Sequence, residues 1–320
     1  MGLGFLAMAR AISIWIISDQ KAGHENQSLG LVESLQRLTA VQSRLVLIDP
    51  QKNFWQNSQC VLRLARVEGC PDLVIGAGHR THWAVLALKW LRGVRAVILM
   101  RPSLPVRCFD LCLIPEHDLQ GKTGRANVFS TCGVLNRVRH QPEKRNGSGL
   151  LLIGGPCKEF GWDGEALKES IVSIVTSRPS VRWTLTDSRR TPDTFLAELR
   201  SEGVNLNILS HRDTPSGWLP ERLAAASTVW ATQDSVSMIY ESLSSGASVG
   251  LLKMPPAGPP SRLNFGIDRL VETKMVTSYG TTPLDAELPP PSRVLAETDR
   301  CANELMQRLF PDRLVIGRER

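Results

Sequence analysis

The chain has 320 residues, enough at the usual ~150 residues per domain for two domains that each bury a core. Charged residues at 22% and hydrophobic residues at 42% exclude wholesale disorder, a collagen-like repeat, a disulfide miniprotein and an integral membrane protein. Thirty-eight basic against 31 acidic residues leave a net charge of +7, which favours anionic partners. No dense Lys/Arg run carries interleaved aromatics, so no nucleic acid is expected, and phosphates on a small substrate fit better.

Residues 1–9 are apolar, but the stretch is short and Arg10 interrupts it. It lacks the charge-first order of a signal peptide, and no apolar run approaches the ~18 residues that span a bilayer. The seven cysteines are odd in number, show no CxxC pairing and lie mostly in apolar patterns. They read as reduced, buried thiols in a cytoplasmic compartment, with peripheral contact at the inner membrane left open. Cys108 and Cys112 would need two further ligands to hold zinc, so no metal is expected.

Strand patterns fall at 12–18, 43–49, 72–78, 95–101, 111–115 and 127–131, and helical periodicity at 26–38, 58–67 and 81–91. Strands alternating with helices predict a parallel sheet covered on both faces. The polar, basic stretch 136–149 reads as a linker. A second series follows, with strands at 149–153, 181–186, 205–210, 228–232 and 248–253 and helices at 163–176, 194–201, 218–225, 237–245 and 267–273. The proline-rich runs 255–260 and 283–291 read as loops, and 294–310 as an amphipathic helix. The fold class expected is α/β, two Rossmann-like parallel-sheet domains facing a cleft. Residues 1–140 form the acceptor side, 149–292 the donor side, and 293–320 pack back toward the first domain.

In open parallel sheets ligands sit beyond the carboxyl ends of strands, where helix N-termini present unpaired N–H groups. The loop after the first strand runs Ser18-Asp19-Gln20-Lys21-Ala22-Gly23-His24-Glu25-Asn26-Gln27. His24, or a desolvated Asp19 or Glu25, suits proton transfer from a hydroxyl, while capping by Asp19 or Asn26 is the plainer alternative. Gly76-Ala77-Gly78-His79-Arg80 carries an incomplete dinucleotide fingerprint with Arg80 as its anion contact. In the second half, Gly154-Gly155 and Ser188-Arg189-Arg190-Thr191 follow strands, and two guanidiniums beside hydroxyls suit a diphosphate. The sharpest signal is Thr232-Gln233-Asp234-Ser235-Val236-Ser237, with Glu241 a turn further on. A helix opening with hydroxyls there could hold a diphosphate, with Glu241 toward ribose; ordinary capping is again the alternative.

This last segment resembles the donor-binding element of GT-B glycosyltransferases. The wider set is similar to the mitochondrial-fission (elongated-mitochondria) family: Asp19 with Gly23, Asn26 and Gln27, Asp72 through Gly78, Pro115-Glu116-His117-Asp118, Ile153-Gly154-Gly155-Pro156, Ser188 through Pro192, and Asp234 through Met238. Bacterial members are described as GT-B glycosyltransferases, and plant members are linked to recruiting a dynamin-like protein. The resemblance spans about residues 14–252. It implies a transferase using a nucleotide-sugar as substrate, with no cofactor, and a cell-envelope glycolipid, lipid-linked or glycan acceptor. Donor contacts would be Gly154, Gly155, Ser188, Arg189, Arg190, Asp234, Ser235, Ser237 and Glu241, acceptor contacts Gly23, Asn26, Gln27, Gly78 and Arg80, and catalytic groups Asp19, His24 and Glu25. Such enzymes use protein donors and basic residues rather than a metal to stabilise the departing diphosphate. Ser18 stands where the family pattern has glycine, and Met100-Arg101-Pro102-Ser103 replaces a more polar stretch. A non-catalytic adaptor is the rival reading. A Rossmann-type epimerase or reductase is disfavoured by the incomplete glycine fingerprint and by the two-half organisation.

Overall fold

The computed structural model describes residues 10–119, 125–141, 145–215, 217–259 and 262–313, so the apolar stretch 1–9 lies outside the described residues. The chain divides into two compact units. The first comprises the described residues up to Arg137 together with those from Glu297 onward, and the second is Val138–Ala296.

The first unit runs β1 (Ile12–Ser18), α1 (Ala22–Leu38), β2 (Val41–Leu47), α2 (Phe54–Glu68), β3 (Leu73–Ala77), α3 (His82–Arg92), β4 (Arg95–Leu99), β5 (Leu111–Pro115), the single turn α4 (Glu116–Leu119) and β6 (Val128–Thr131). All strand pairs are parallel, in the order β2-β1-β3-β4-β5-β6. Covered on both faces, β1 needs apolar residues at nearly every position. Ile12, Ile14 and Ile16 join a core containing Leu31, Val32 and Leu35 of α1. Trp15 and Ile17 point the other way, into a core with Val61 and Ala65 of α2 and Val85, Leu86 and Leu88 of α3.

The second unit runs β7 (Arg145–Leu152), α5 (Gly164–Ser177), β8 (Arg182–Thr186), α6 (Phe195–Ser201), β9 (Leu206–Leu209), α7 (Trp218–Ala225), β10 (Ala226–Thr232), α8 (Val236–Ser245), β11 (Ser248–Leu252), α9 (Arg262–Glu272) and β12 (Thr277–Ser278). Its parallel sheet is ordered β12-β11-β10-β7-β8-β9. The last helix, α10 (Glu297–Leu309), belongs to the first unit, where Cys301, Ala302, Leu305 and Met306 complete the core beside α1. Ser34 donates to Asp299 at 2.7 Å, and Glu297 accepts the Cys132 N–H at 2.8 Å.

In each sheet the strand order reverses once, and that is where an open α/β sheet leaves a crevice at its carboxyl edge. In the first unit the reversal lies between β1 and β3, in the second between β7 and β10. Two candidate loops thus meet at each switch point.

Several expected boundaries move. The helix expected from residue 26 begins at Ala22, because the Asp19 carboxylate accepts the Lys21 N–H at 3.3 Å and turns the chain early; His24 and Glu25 are therefore helical. Helix α2 begins at Phe54 rather than at 58, set by a reciprocal cap between Asn53 and Gln56. The expected linker 136–149 is structured at both described ends. Asn136 exchanges hydrogen bonds with Thr298, and β7 starts at Arg145, its ladder to β10 shifting register between Ala226 and Thr228. Its residues 142–144 lie outside the described ones. Of the cysteines only Cys112 and Cys301 are buried, whereas Cys60 and Cys70 are exposed; all seven are free. Burial pushes the Cys112 thiol up to about 12 and the Cys301 thiol further in the same direction. Among the described residues no helix is long and apolar enough to cross a membrane.

Candidate functional site

At the first switch point Asp19 follows β1 directly, and its side chain has no solvent exposure. Both carboxylate oxygens face His24 Nδ1, at 2.9 and 3.0 Å. A carboxylate only accepts, so Nδ1 carries the proton and Nε2 presents a lone pair. The imidazole is partly open to solvent and stands in the first turn of α1. Gly78 (φ +83°) makes room for the ring: a Cβ there would lie 2.6 Å from His24 Nδ1. Neither Asp19 nor Asn26 caps α1, whose cap residue is Lys21 without a side-chain bond.

Glu25 accepts from the Ser18 hydroxyl, whose oxygen in turn accepts the Gln20 N–H at 2.8 Å. Ser18 thus ties Glu25 to the strand end. Gln27 is buried, donating to Gly23 O at 3.3 Å and reaching Met100 Sδ at 3.6 Å, while Gly23 faces open space. Asn26 is half-buried on α1, and Arg80 is exposed in the turn before α3. His82, three residues before Val85, is structural: burial, with a smaller contribution from His79, pulls its pKa down to about 4, and it pairs with Ser103 Oγ at 3.2 Å.

At the second switch point Gly154, Gly155, Arg190, Asp234 and Ser235 come together with Thr191 and Thr232, which the sequence reading placed in these loops without giving either a contact of its own. Gly154 N–H donates to Thr232 Oγ1 at 2.8 Å and Gly155 N–H to Asp234 Oδ2 at 3.0 Å. The two amides expected to meet phosphate are therefore already engaged. These glycines instead admit the fully buried Asp234: a Cβ on Gly154 would lie 2.5 Å from Asp234 Oδ1, and one on Gly155 2.7 Å from Thr191 N. Arg190 donates to Asp234 Oδ2 at 2.7 Å, to Ser235 Oγ at 3.3 Å and to Gly155 O at 2.8 Å. Thr191 Oγ1 accepts the Ser188 N–H at 2.9 Å and bonds the Gly154 carbonyl, and Ser188 Oγ accepts the Arg190 N–H at 3.2 Å. Ser188 thus builds the turn that aims Arg190.

Ser235 is the cap residue of α8, with no side-chain cap bond. The first bond within the helix runs from Ile239 N–H to Ser235 O at 3.1 Å, so the N–H groups of Val236, Ser237 and Met238 have no acceptor inside it. Ser237 and Arg189 are exposed, and Glu241, one turn beyond Ser237, is half-buried. The helix tip with its hydroxyl presents donors of the kind that hold an anion. A second carboxylate–imidazole pair, Asp187 with His211 Nδ1 at 3.0 Å, closes the neighbouring strand ends and was not read from sequence. Its only signal is an aspartate directly after β8. Among the described residues no cluster of His, Cys, Asp or Glu could hold a metal ion.

Comparison with known proteins places the chain. A family model described as mitochondrial fission ELM1 matches residues 22–309. The chain belongs to that family. A relative of this ELM1-family chain is the uncharacterized protein RP120 of Rickettsia prowazekii (strain Madrid E), 25% identical over 323 aligned positions that cover 84% of this chain and 90% of the relative. Among solved structures, a Listeria monocytogenes protein provisionally named a UDP-N-acetylglucosamine 2-epimerase matches with a TM-score of 0.59 at 14% identity, covering 93% of this chain and 96% of its own. Acinetobacter baumannii MurG matches with a TM-score of 0.50 at 13% identity, covering 95% and 93%. The fold is that of GT-B glycosyltransferases and epimerases. The expectation that two-half organisation counts against an epimerase is corrected by the first of these likenesses.

Proposed function

We propose that the chain is a glycosyltransferase that moves a sugar from a nucleoside-diphosphate donor to a hydroxyl of a lipid-linked or glycan acceptor of the cell envelope, without a metal ion. The observation that carries this is the Asp19–His24 pair, a buried carboxylate holding one imidazole nitrogen protonated so that the other can accept a proton. In this reading His24 Nε2 takes the acceptor hydroxyl proton, the oxygen bonds to the anomeric carbon, and the bond from that carbon to the diphosphate breaks. In the second unit, the groups offered to a diphosphate's negative charge are the N-terminal amides of α8, the Ser237 hydroxyl and Arg189, with Glu241 toward the ribose. Asp19 orients rather than reacts, and Gly78 positions the ring. Likeness to a protein named for a UDP-sugar supports uridine diphosphate as the first nucleotide to try.

The test is calorimetric binding of UDP, alongside release of UDP from UDP-N-acetylglucosamine and analysis of the sugar product. Binding abolished by Arg189→Ala together with Ser237→Ala, and donor turnover lost in His24→Gln, are expected. A donor returned as its epimer, with no UDP released, would select epimerisation. No binding of any nucleoside diphosphate, with cellular function intact in these variants, would select the adaptor reading.

A further inference from the structure

The α2–α3 face of the first unit carries apolar surface that none of its own elements covers. Helix α3 has two apolar faces. Ala84, Val85, Leu86 and Leu88 point into the core, while Trp83, Ala87, Trp90 and Leu91, spaced by four, three and one, line the opposite arc. Trp83 is 38% exposed, Trp90 56% and Leu91 65%. Phe54 at the start of α2 joins this stripe, its ring centroid 5.4 Å from Trp83 and 5.3 Å from that of Trp55, which is 65% exposed. A contiguous aromatic surface of this kind on a folded unit marks a contact with something else.

Charge indicates what covers it. Helix α2 and residues 79–92 together contain Arg63, Arg66, Arg80, Lys89 and Arg92 against one carboxylate, Glu68. Glu68 is paired with Arg44, and Lys89 with Asp110 at 2.6 Å. Nearby, Lys52 and Asp49 neutralise each other at 3.5 Å. Arg63, Arg66, Arg80 and Arg92 are exposed. A second copy of this chain would bring arginines against arginines, a like-charge arrangement that opposes a symmetric dimer. Tryptophan and phenylalanine flanked by arginine suit the headgroup layer of a bilayer containing anionic lipid, where aromatic rings sit at the acyl boundary and guanidiniums meet phosphates. We infer that the α2–α3 face docks the protein on an anionic membrane surface through Phe54, Trp55, Trp83, Trp90 and Leu91. Helices α2 and α3 both start at the carboxyl edge of the sheet, where His24 lies, so a hydroxyl carried on a membrane lipid would be presented at the edge that holds the base.

The inference stands apart from the transfer reading, because vesicle binding and UDP binding are measured separately. Full-length protein is sedimented with vesicles of phosphatidylcholine and with vesicles of phosphatidylcholine mixed with phosphatidylglycerol. Binding to the mixed vesicles that weakens with salt is expected. Trp55→Ser with Trp90→Ser, chosen as the more exposed rings, lowers it by about tenfold or more, and Arg63→Gln with Arg66→Gln by about fivefold per charge removed. Both variants keep the unaltered melting temperature and the same UDP affinity as the parent. Absence of binding to the mixed vesicles, or undiminished binding by the tryptophan variant, overturns the inference. So does a dimer seen by light scattering that the tryptophan variant dissolves, since a second copy would then cover the face.

Discussion

The clearest test of the second switch point is Gly154→Ala. The added Cβ would lie 2.5 Å from Asp234 Oδ1 and would also overlap Asp234 Oδ2 and Ser235 Oγ. Asp234 cannot yield cheaply, because its side chain is fully buried and is held by the Gly155 N–H at 3.0 Å and Arg190 at 2.7 Å. Overpacking of this kind costs about 1–3 kcal/mol. Rotating the carboxylate away forfeits a charge-assisted bond of about 1.5–3 kcal/mol. The two responses are alternatives, so the cost is about 1–3 kcal/mol, which lowers the melting temperature of a unit of this size by about 2–12 °C. Scanning calorimetry is the assay, since two units need not melt as one. The transition of the second unit should fall while that of the first holds, and stabilisation by UDP should disappear with it. Gly23→Ala is the control: it sits within α1 with open space around its Cβ position, and gains about 0.5–1 kcal/mol from helix propensity. A Gly154→Ala protein that melts like the parent and still responds to UDP would refute the packing argument.

Three further outcomes are expected. His24→Gln lowers kcat by about 10²–10⁴ with UDP affinity unchanged, and Asp19→Asn, which stabilises the wrong tautomer, loses turnover without losing the fold; steady-state kinetics with binding calorimetry checks both. His82 is neutral in the folded state down to about pH 4, whereas the unfolded chain takes up the proton near 6.5, so stability is full above that value and falls as pH drops through the window. The loss reaches about 3 kcal/mol by pH 4 and flattens in His82→Gln, as urea titrations across this range would show. Cys60 and Cys70 react with a thiol reagent in the native protein at pH 8, while Cys112 and Cys301 react only after denaturation, a difference read by mass spectrometry of the labelled peptides.

Much of the fold was legible because parallel strands covered on both faces must be apolar almost throughout. The runs at 12–18 and 111–115 and the helix at 218–225 fall on the observed elements without adjustment. Errors cluster where polar residues do structural work that periodicity does not record. Helix α1 starts four residues early because a buried carboxylate bends the chain at Lys21, and α2 because two amide side chains cap each other. Asn146-Gly147-Ser148-Gly149 looks like a linker by composition, yet it pairs as β7. Gly149 lies under the Trp183 ring, 2.8 Å from where its Cβ would be to Trp183 Cδ2, so the strand needs small residues there.

The loops at the two switch points were legible in the sequence, but their wiring was not. Within the first unit the residues after β1 and β3 are neighbours because strand order reverses between them, and within the second unit the same holds after β7 and β10; loop composition alone points to the same four places. Composition cannot show that Asp234 turns inward. A buried carboxylate beside the N-terminus of α8 would by itself repel the diphosphate that this helix tip is proposed to hold. Arg190 neutralises it, and so cannot also serve as a free phosphate ligand while that pair is intact. In the proposed reading, attraction for a donor then falls to the α8 amides, Ser237 and the exposed Arg189. Of two adjacent arginines that look equivalent in the sequence, Arg190 is engaged in the structure and Arg189 is the one proposed to meet the donor. Arg190→Ala should therefore cost stability first, and Arg189→Ala nucleotide affinity alone.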